Sequence, residues 1–419
     1  MPTTGPMPAE ALRVAYDNVP EPAGDVLLSR QPVVDASMRV IGYRVAYATL
    51  EGGDGVSSAS GSSMRLFGDV ISAVGLDELV GSNVAHLPVS RDLLVTLGIP
   101  PVRPDRVVLR VSYETASDPE LQPILSTLAS RGFALSLANL PGPHADLSLL
   151  DVFSTVEVDF GSWDELDAAA VVPRILAGHG APLASGLMNH SDFELAKALG
   201  FQLFVGPFFA APRVASARQV PVGALQGLAS IARLQGDAQI EDLEKIIDRD
   251  LGLSVKLLRY INSAYFGVRA EIVSIRQAVM MLGSRGVARW ALLISLAGGP
   301  STPRELSVLA LTRARMCEIL GTGNADIGGD QLFTTGLLSV ADALLGLPLE
   351  QVVEELPLAD EVTQALLWRA GPAGAILDAA VAYERGSFAA DSLQGHRRDA
   401  GDAYRQALRW AQSTVAEIA

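Results

Sequence analysis

Two different spacings of apolar residues divide the chain near its middle. In the N-terminal half, short runs rich in Val, Leu, Ile and Phe alternate with segments whose apolar residues recur at helical spacing. Most of these runs are apolar on both faces, as parallel strands covered by helices require. The predicted strands are Val26–Val34, Val40–Tyr47, Asn83–Val89, Val107–Ser112, Phe133–Ala138, Thr155–Phe160, Pro182–Met188 and Gln202–Pro207. About eight strands alternating with helices over roughly 190 residues predict a (β/α)8-type barrel.

Strand patterns stop after the proline-containing stretch 207–221, and helical patterns separated by Gly and Pro fill the rest of the chain. The predicted fold class is therefore α/β plus all-α. We predict a flexible tail over residues 1–24, which contain five prolines, a barrel domain over 25–213 and a helical domain over 218–419.

Composition and charge narrow the function classes. The 419 residues include 47 acidic and 32 basic side chains, and the net charge of −15 argues against direct nucleic-acid binding and against an anionic membrane surface. The single cysteine, Cys317, excludes an intramolecular disulfide and is expected in the core of a helix. The tail has no apolar signal segment, and the longest apolar run, Trp290–Gly298, is too short to span a bilayer, so we expect a cytoplasmic protein.

Candidate chemistry in a (β/α)8 barrel lies where the parallel strands end. At those ends only Glu157 and Asp159 stand together, and alternate residues of a strand share a face. A magnesium-dependent phosphodiester hydrolase needs several converging carboxylates, whereas the other strand ends offer apolar groups and amides. We therefore interpret this pair as structural or vestigial, and predict neither a metal nor another cofactor.

Several segments of the first half carry a family resemblance. They are residues 27–47 (LLSRQPVVDASMRVIGYRVAY), Ser130–Leu135, Val156–Asp159 and Leu199–Phe209. Their order and content resemble the EAL cyclic-di-GMP phosphodiesterase domain, in the divergent form that is fused to an HDOD domain. The resemblance covers about residues 25–213 and implies a barrel fold.

Carried over position by position, the resemblance places most of the EAL catalytic set on other residue types. The family's signature Glu falls on Arg44, its metal-binding Asn falls on Pro88, and the next metal-binding Glu falls on Arg110. Magnesium would then face two fixed positive charges in place of two negative ones. Proline at position 88 has no side-chain oxygen to offer.

The later catalytic positions are also changed. The family's double Asp falls on Ala138–Asn139, its catalytic Lys falls on Glu157, and the Asp of that strand is kept as Asp159. The Glu before the sixth loop falls near Met188, and the Gln of the last motif falls on Val205. We treat these nine positions as a vestigial site with no catalytic residue.

The second half resembles the HDOD domain over about residues 218–400, through Asp250–Ser254, Lys256–Gly267 and Gly336–Leu345. HDOD domains resemble HD phosphohydrolases that have lost their metal site, and Ser339–Val340 stands where a His-Asp pair would be expected. No histidine falls between residues 191 and 395, which excludes a histidine-based metal centre there. The five histidines, which we expect on the surface or in loops, are His86, His144, His179, His190 and His396.

A short motif after a predicted helix is the candidate partner-binding site of this half. It contains Asn262, Ser263, Tyr265 and Phe266. Turn-borne aromatic residues can anchor a protein partner. The alternative, which we favour for Asn262 and Ser263, is capping and turn chemistry.

Three functions remain open from the sequence. The first is a catalytically inactive bacterial signalling scaffold that acts through protein contacts of both domains. The second is a cyclic-di-GMP receptor that binds without hydrolysis, with Arg44 and Arg110 neutralising phosphates. The third, ranked last, is an active cyclic-di-GMP phosphodiesterase. The identity of the protein partner and the formation of a homo-oligomer are left open.

Overall fold

The fold is described from a computed structural model. The described residues are 26–50, 56–57, 76–100, 102–211, 247, 251–262, 272–297, 303–324, 326–389, 391–393 and 395–418. The predicted N-terminal tail and the candidate residues Ser263, Tyr265 and Phe266 lie outside them. Among the described helices, none has the combination of length and apolar character needed to cross a membrane.

The N-terminal region is an eight-stranded closed barrel, as predicted. Its strands and one short addition are β1 (Val26–Asp35), β2 (Val40–Leu50), β3 (Val56–Ser57), β4 (Val84–Val89), β5 (Val107–Ser112), β6 (Ala134–Ala138), β7 (Thr155–Asp159), β8 (Ala181–Ser185) and β9 (Leu203–Val205). The order around the sheet is β1-β9-β8-β7-β6-β5-β4-β2, the pairing of β1 with β2 closes it, and β3 extends the edge of β2. Buried aliphatic side chains from both faces of the strands form the core.

The first strand departs from the parallel arrangement of the others. β1 is antiparallel to both β2 and β9, whereas β2 and β4 to β9 pair in parallel. The turn between β1 and β2 is held by Asp35, whose carboxylate accepts hydrogen bonds from the backbone N–H groups of Ser37 and Arg39 at 2.9 and 3.1 Å. A connection this short can join only antiparallel strands.

Helices follow the strands of the barrel. They are α1 (Leu76–Val80), α2 (Arg91–Leu97), α3 (Tyr113–Ala116), α4 (Gln122–Ser130), α5 (Glu165–Ala177) and α6 (His190–Ala198). Polar side chains cap the N-termini of several of these helices. Those of Ser90, Ser112 and Asp164 each accept a hydrogen bond from a backbone N–H group in the first turn. The strand ends are thereby fixed to the helices that follow.

The C-terminal region is all-helical, as predicted. Its helices are α7 (Leu251–Ile261), α8 (Ile275–Ala297), α9 (Arg304–Leu320), α10 (Gly329–Leu338), α11 (Ala341–Leu345), α12 (Leu349–Glu355), α13 (Asp360–Trp368), α14 (Gly371–Glu384) and α15 (Arg397–Ile418). α8 is interrupted at Gly283, whose φ of 76° is not helical. Cys317 is fully buried in α9, in agreement with its predicted core position.

The chain divides into two compact units whose bounds differ from the predicted domains at two places: the first unit ends at Phe208 and not at residue 213, and it includes Ala382–Gly401. Residues up to Phe208 form the first unit together with Ala382–Gly401, and Phe209–Val381 with Asp402–Ala419 form the second. We predicted that 382–401 belong to the helical domain. They join the barrel unit instead, because Tyr383 and Arg385 bond to residues of β1. The predicted boundary between residues 213 and 218 lies outside the described residues.

Candidate functional site

Three charged side chains from different strands meet inside the barrel. Glu157 of β7 lies between two guanidinium groups: its Oε1 is 2.9 Å from Nη1 of Arg44, and its Oε2 is 2.6 Å from Nε of Arg110. Both carboxylate oxygens are therefore engaged by cations. We call Arg44, Arg110 and Glu157 the charge triad.

The strand register explains how the triad assembles. Arg44 on β2 is level with His86 on β4, Pro88 on β4 is level with Arg110 on β5, and Arg110 is level with Ser136 on β6. Residues two apart on one strand point to the same side, so these side chains enter the barrel together. Closure of the barrel then brings β7, with Glu157, opposite β2 and β5.

Burial and the neighbouring positive charges shift the pKa of Glu157 in opposite directions. Only 6% of its side chain is exposed. Burial alone would raise the pKa of this carboxyl, but Arg110 and then Arg44 outweigh burial, and the net pKa lies below its ordinary value. The pKa of Arg44 is lowered, mainly by burial, although Glu157 opposes that shift. Glu157 is thus a buried anion stabilised by two cations.

His86, a residue that we expected on the surface, is buried beside the triad. Its imidazole lies on β4, and only 5% of the residue is exposed. Burial, and next the positive charge of Arg110, lower its pKa to about 4, so it is neutral at pH 7. A Cβ on Gly42 would lie 3.1 Å from Nε2 of His86 and 2.9 Å from the Val84 carbonyl oxygen. A larger residue at position 42 would therefore collide with the imidazole, and glycine avoids that collision.

The one EAL carboxylate that the chain keeps has a different neighbour. Asp159 ends β7, is exposed, and accepts a hydrogen bond of 2.6 Å from the Ser162 hydroxyl. A Cβ on Gly186, at the end of β8, would lie 2.5 Å from Asp159 Oδ1. The carboxylate thus packs against the turns that follow β7 and β8. Asp159 and Glu157 belong to one strand, as predicted, but their hydrogen bonds go to different residues.

A cavity of about 650 Å³ opens where β4, β5 and β6 end. Pro88, Arg110, Ala138 and Asn139 line it, so it gathers four of the vestigial positions. The Pro88 carbonyl accepts a hydrogen bond of 2.7 Å from Tyr47, whose pKa is raised by burial. These four positions offer one cation and one exposed amide, and the rest of the wall includes Arg91 and the carboxylates of Asp92, Glu114 and Asp118.

Two predicted positions do not take part in this arrangement. Met188 is 51% exposed, and its backbone N–H bonds Asp192 in the first turn of α6. Val205 is buried in an apolar cluster with Val33 and Leu183.

The helical unit places polar side chains where an HD metal pair would be expected. Nη1 of Arg313, on α9, donates to the Ser339 hydroxyl at 3.0 Å, and that hydroxyl donates to the Gly336 carbonyl at 2.7 Å. Burial raises the pKa of Asp342, while a backbone bond from Ala343 and the charge of Arg313 oppose the rise. The arrangement ties α9 to the end of α10.

Asn262 acts as a turn residue in the structure. Its Nδ2 donates to the carbonyls of Leu258 and Ile272 at 2.9 and 2.7 Å, and its Oδ1 accepts the Ile272 N–H at 2.7 Å. These bonds close the end of α7 against the chain ten residues later, which is the capping role that we favoured.

The residues at the barrel mouth do not fit the magnesium ions that an EAL site implies. Magnesium takes oxygen ligands, and here guanidinium groups hold both oxygens of the one buried carboxylate. Within the described part of the chain, no group of three or more His, Cys, Asp or Glu side chains is arranged to hold a metal ion.

Comparisons with known proteins agree with the two-part architecture. The HDOD domain model matches residues 230–356. The uncharacterized protein YuxH of Bacillus subtilis (strain 168) is 25% identical over 406 residues, covering 93% of this chain and 99% of its own. The cyclic di-GMP phosphodiesterase CdgJ of Vibrio cholerae serotype O1 is 28% identical over 410 residues, covering 92% of each chain.

Solved structures of EAL proteins align with part of the chain. The PaMucR phosphodiesterase in complex with c-di-GMP is 20% identical and covers 43% of this chain and 93% of its own, with a TM-score of 0.34. The Bacillus subtilis YkuI protein, with an EAL domain and bound c-di-GMP and calcium, is 14% identical and covers 66% and 76%, with a TM-score of 0.37. The chain joins an α/β barrel to an all-helical region, and residues 230–356 within the second part match the HDOD domain.

Proposed function

We propose that this protein is a catalytically inactive signal-transduction scaffold that acts through protein contacts of its HDOD domain and its barrel. The observation that carries the proposal is the charge triad. The resemblance expects two metal-binding Glu residues and one catalytic Lys at these positions, and the chain has Arg44, Arg110 and Glu157 there. All three charges are reversed, and the three side chains still pair with one another.

Metal-assisted hydrolysis needs a bound cation that activates water and clamps the phosphate. A magnesium ion at this site would have to break both ion pairs of Glu157 and then lie beside two guanidinium groups. Both steps are unfavourable in a buried setting, where charges interact strongly. Among the positions carried over from the resemblance, Asp159, bonded to Ser162, is the one exposed carboxylate. These features argue against turnover.

The similarity to CdgJ extends along nearly the whole chain and supports a role related to cyclic-di-GMP. CdgJ itself is named a phosphodiesterase. The replaced ligands are the reason that we do not extend that activity to this chain.

A second candidate function is a cyclic-di-GMP receptor that does not hydrolyse its ligand. It is favoured by the 30% exposure of the Arg44 side chain and by the position of Arg110 on the wall of the 650 Å³ cavity. It is weakened by charge balance, because Glu157 and Asp159 both interact with Arg44. Because these two carboxylates offset the positive charges of Arg44 and Arg110, the site attracts phosphate weakly.

Calorimetric titration of the full chain with cyclic-di-GMP separates these functions. The scaffold proposal expects no binding heat, and tight binding without turnover would support the receptor. Affinity capture from the native cytosol, with the full chain as bait, then tests for protein partners. Capture of no partner by the full chain would count against the scaffold.

A further inference from the structure

Residues 383–388 form a tight turn at the end of α14, and we call this segment the strap. The helix ends at Glu384, after which the Gly386 N–H donates to the Tyr383 carbonyl and the Ser387 N–H donates to the Ala382 carbonyl, both at 2.9 Å. Gly386 has a φ of 76°, the left-handed conformation that glycine adopts most readily at a helix C-terminus. The ring of Tyr383 packs edge-on against Phe388, with centroids 5.1 Å apart.

The strap lies directly on the barrel, within the first compact unit. The Leu28 N–H donates to the Tyr383 hydroxyl at 2.9 Å, and Nε2 of Gln31 donates to the Arg385 carbonyl at 3.3 Å. A Cβ on Gly386 would lie 2.8 Å from the Ala46 Cβ. The same atom would lie 3.4 Å from the Ser29 hydroxyl, so Gly386 lies against both strands.

These contacts place the strap at the mouth of the barrel. Ser29 is paired with Ala46 in the β1–β2 register, and Gln31 is paired with Arg44. Directly opposed residues of antiparallel strands share a face, so Ser29, Gln31 and Ala46 face inward as Arg44 does. β2 runs parallel to the other strands, so Ala46 lies beyond Arg44 toward the mouth.

The strap also fills a break in the barrel wall. β9 pairs with β1 only over Val33–Asp35, and β9 ends at Val205. Among the described strands, none continues the pairing along the first half of β1 on that side. The Tyr383 hydroxyl supplies an acceptor to Leu28 in that half.

We propose that the strap is an autoinhibitory closure of the β1–β2 side of the barrel mouth, which must lift before a ligand reaches Arg44 from that side. Lifting the strap would move the last turn of α14. A ligand bound in the barrel mouth would therefore change the position of the helix end that carries the strap. The inference deepens the second candidate function, in which a ligand enters the barrel mouth, and rests on that function for its meaning in signalling. The closure itself depends only on the contacts named above.

The closed contact has features that make it easy to open. Ser29 is fully buried, and its hydroxyl has no hydrogen-bond partner among the described residues. A buried polar group without a partner disfavours the closed state. The hydrogen bond from Gln31 is long and exposed, and the closest approach is made by a glycine.

Thiol labelling tests the closure without any ligand. Ser29→Cys introduces a thiol under the strap, and the native Cys317 is fully buried and gives a low background. In the full chain, Gly386→Leu lifts the strap through its clash with Ala46. Tyr383→Phe removes only the hydroxyl that accepts from Leu28 and keeps the ring contact. We expect a disulfide reagent to modify the thiol introduced at position 29 about tenfold faster in the Gly386→Leu background, and more modestly faster with Tyr383→Phe, because local opening governs access.

Ser136→Cys is the matched control. Ser136 is also a fully buried inward-facing serine with an unpartnered hydroxyl, but it lies on β6. The labelling rate of a thiol there should change by less than about twofold in both backgrounds, since the strap does not contact it. Equal acceleration at both positions would mean that Gly386 holds the whole barrel together, and no acceleration at position 29 would mean that other residues cover it; either result overturns the proposal. Both results would leave the proposed lack of catalysis untouched, because no nucleotide or partner is used.

Discussion

Nε of Arg110 lies 2.6 Å from Oε2 of Glu157. Arg110 stands where the EAL resemblance expects a metal-binding Glu, and Glu157 stands where it expects the catalytic Lys. Arg44 completes the reversal at 2.9 Å from the other oxygen. The charges that the resemblance assigns to catalysis are replaced here by an ion-pair network that closes on itself.

Removing the anion of the triad should destabilise the barrel. Glu157→Gln leaves two guanidinium groups without their shared partner, which should reduce the free energy of unfolding by about 2–4 kcal/mol. Asp159→Asn, two residues along the same strand at an exposed position, should change it by less than about 1 kcal/mol. Urea denaturation followed by circular dichroism measures both. Equal effects of the two substitutions would show that the triad contributes nothing specific.

Reversing all three charges should be tolerated better than reversing one. Glu157→Lys alone places three cations together inside the barrel and should be strongly destabilising, by roughly 4 kcal/mol or more. The combination Arg44→Glu, Arg110→Glu and Glu157→Lys restores opposite charges and should recover more than half of that loss, since neighbouring substitutions are not additive. The comparison uses midpoints of chemical denaturation. A triple variant less stable than Glu157→Lys would contradict the pairing seen here.

His86 should make the stability depend on pH in a defined window. Its pKa falls from an ordinary value of 6.5 to about 4 on folding, so the unfolded chain binds the extra proton between these values. Stability therefore rises as the pH rises from about 4 to 6.5. On acidification from pH 7 to pH 5, the contribution of His86 to the free energy of unfolding should fall by about 1–2 kcal/mol. The groups that act on the imidazole are Arg44, Arg110 and Glu157.

The matched variant for this measurement is His86→Gln, which does not titrate. The lowered pKa of Glu157 acts only at more acidic pH, so the range from pH 5 to 7 isolates the histidine. The difference in unfolding free energy between the wild type and the variant should shrink on acidification. A difference that is independent of pH would show that the imidazole is not desolvated.

Gly336 should be essential for helix packing in the second unit. A Cβ there would lie 2.6 Å from both the Ala314 Cα and the Arg313 carbonyl oxygen, which are backbone atoms that cannot yield. Gly336→Ala should therefore cost about 2–3 kcal/mol by overpacking. Gly329→Ala is the control in the same helix, because its Cβ would meet only the Glu318 side chain at 3.6 Å. It should be neutral or stabilising by up to about 1 kcal/mol, as measured by thermal denaturation.

The barrel could be predicted from sequence because its strands are apolar on both faces and end at polar capping residues such as Ser90 and Ser112. The antiparallel β1 was missed, although the short connection between Val34 and Val40 contained the information. The placement of 382–401 with the barrel could not be foreseen, since it depends on single contacts such as the Tyr383 hydroxyl with Leu28.

The resemblance alone suggested the candidate vestigial positions, and the sequence did not predict that three of them pair with one another. Arg44, Arg110 and Glu157 are far apart in sequence, and only closure of the barrel brings them together. His86 was misplaced on the surface, because a single histidine in the run Val84–Val89 carries no pattern of its own. Its position two residues before Pro88, on the inward face, was the available indication.

The central claim is tested most directly by incubating the full chain with cyclic-di-GMP and either Mg²⁺ or Mn²⁺, and following the linear product by chromatography. The account predicts no turnover above the rate without protein, and no change on Asp159→Ala, because Arg44 and Arg110 stand where the resemblance expects metal-binding Glu residues. Metal-dependent turnover that is abolished by Asp159→Ala would contradict it.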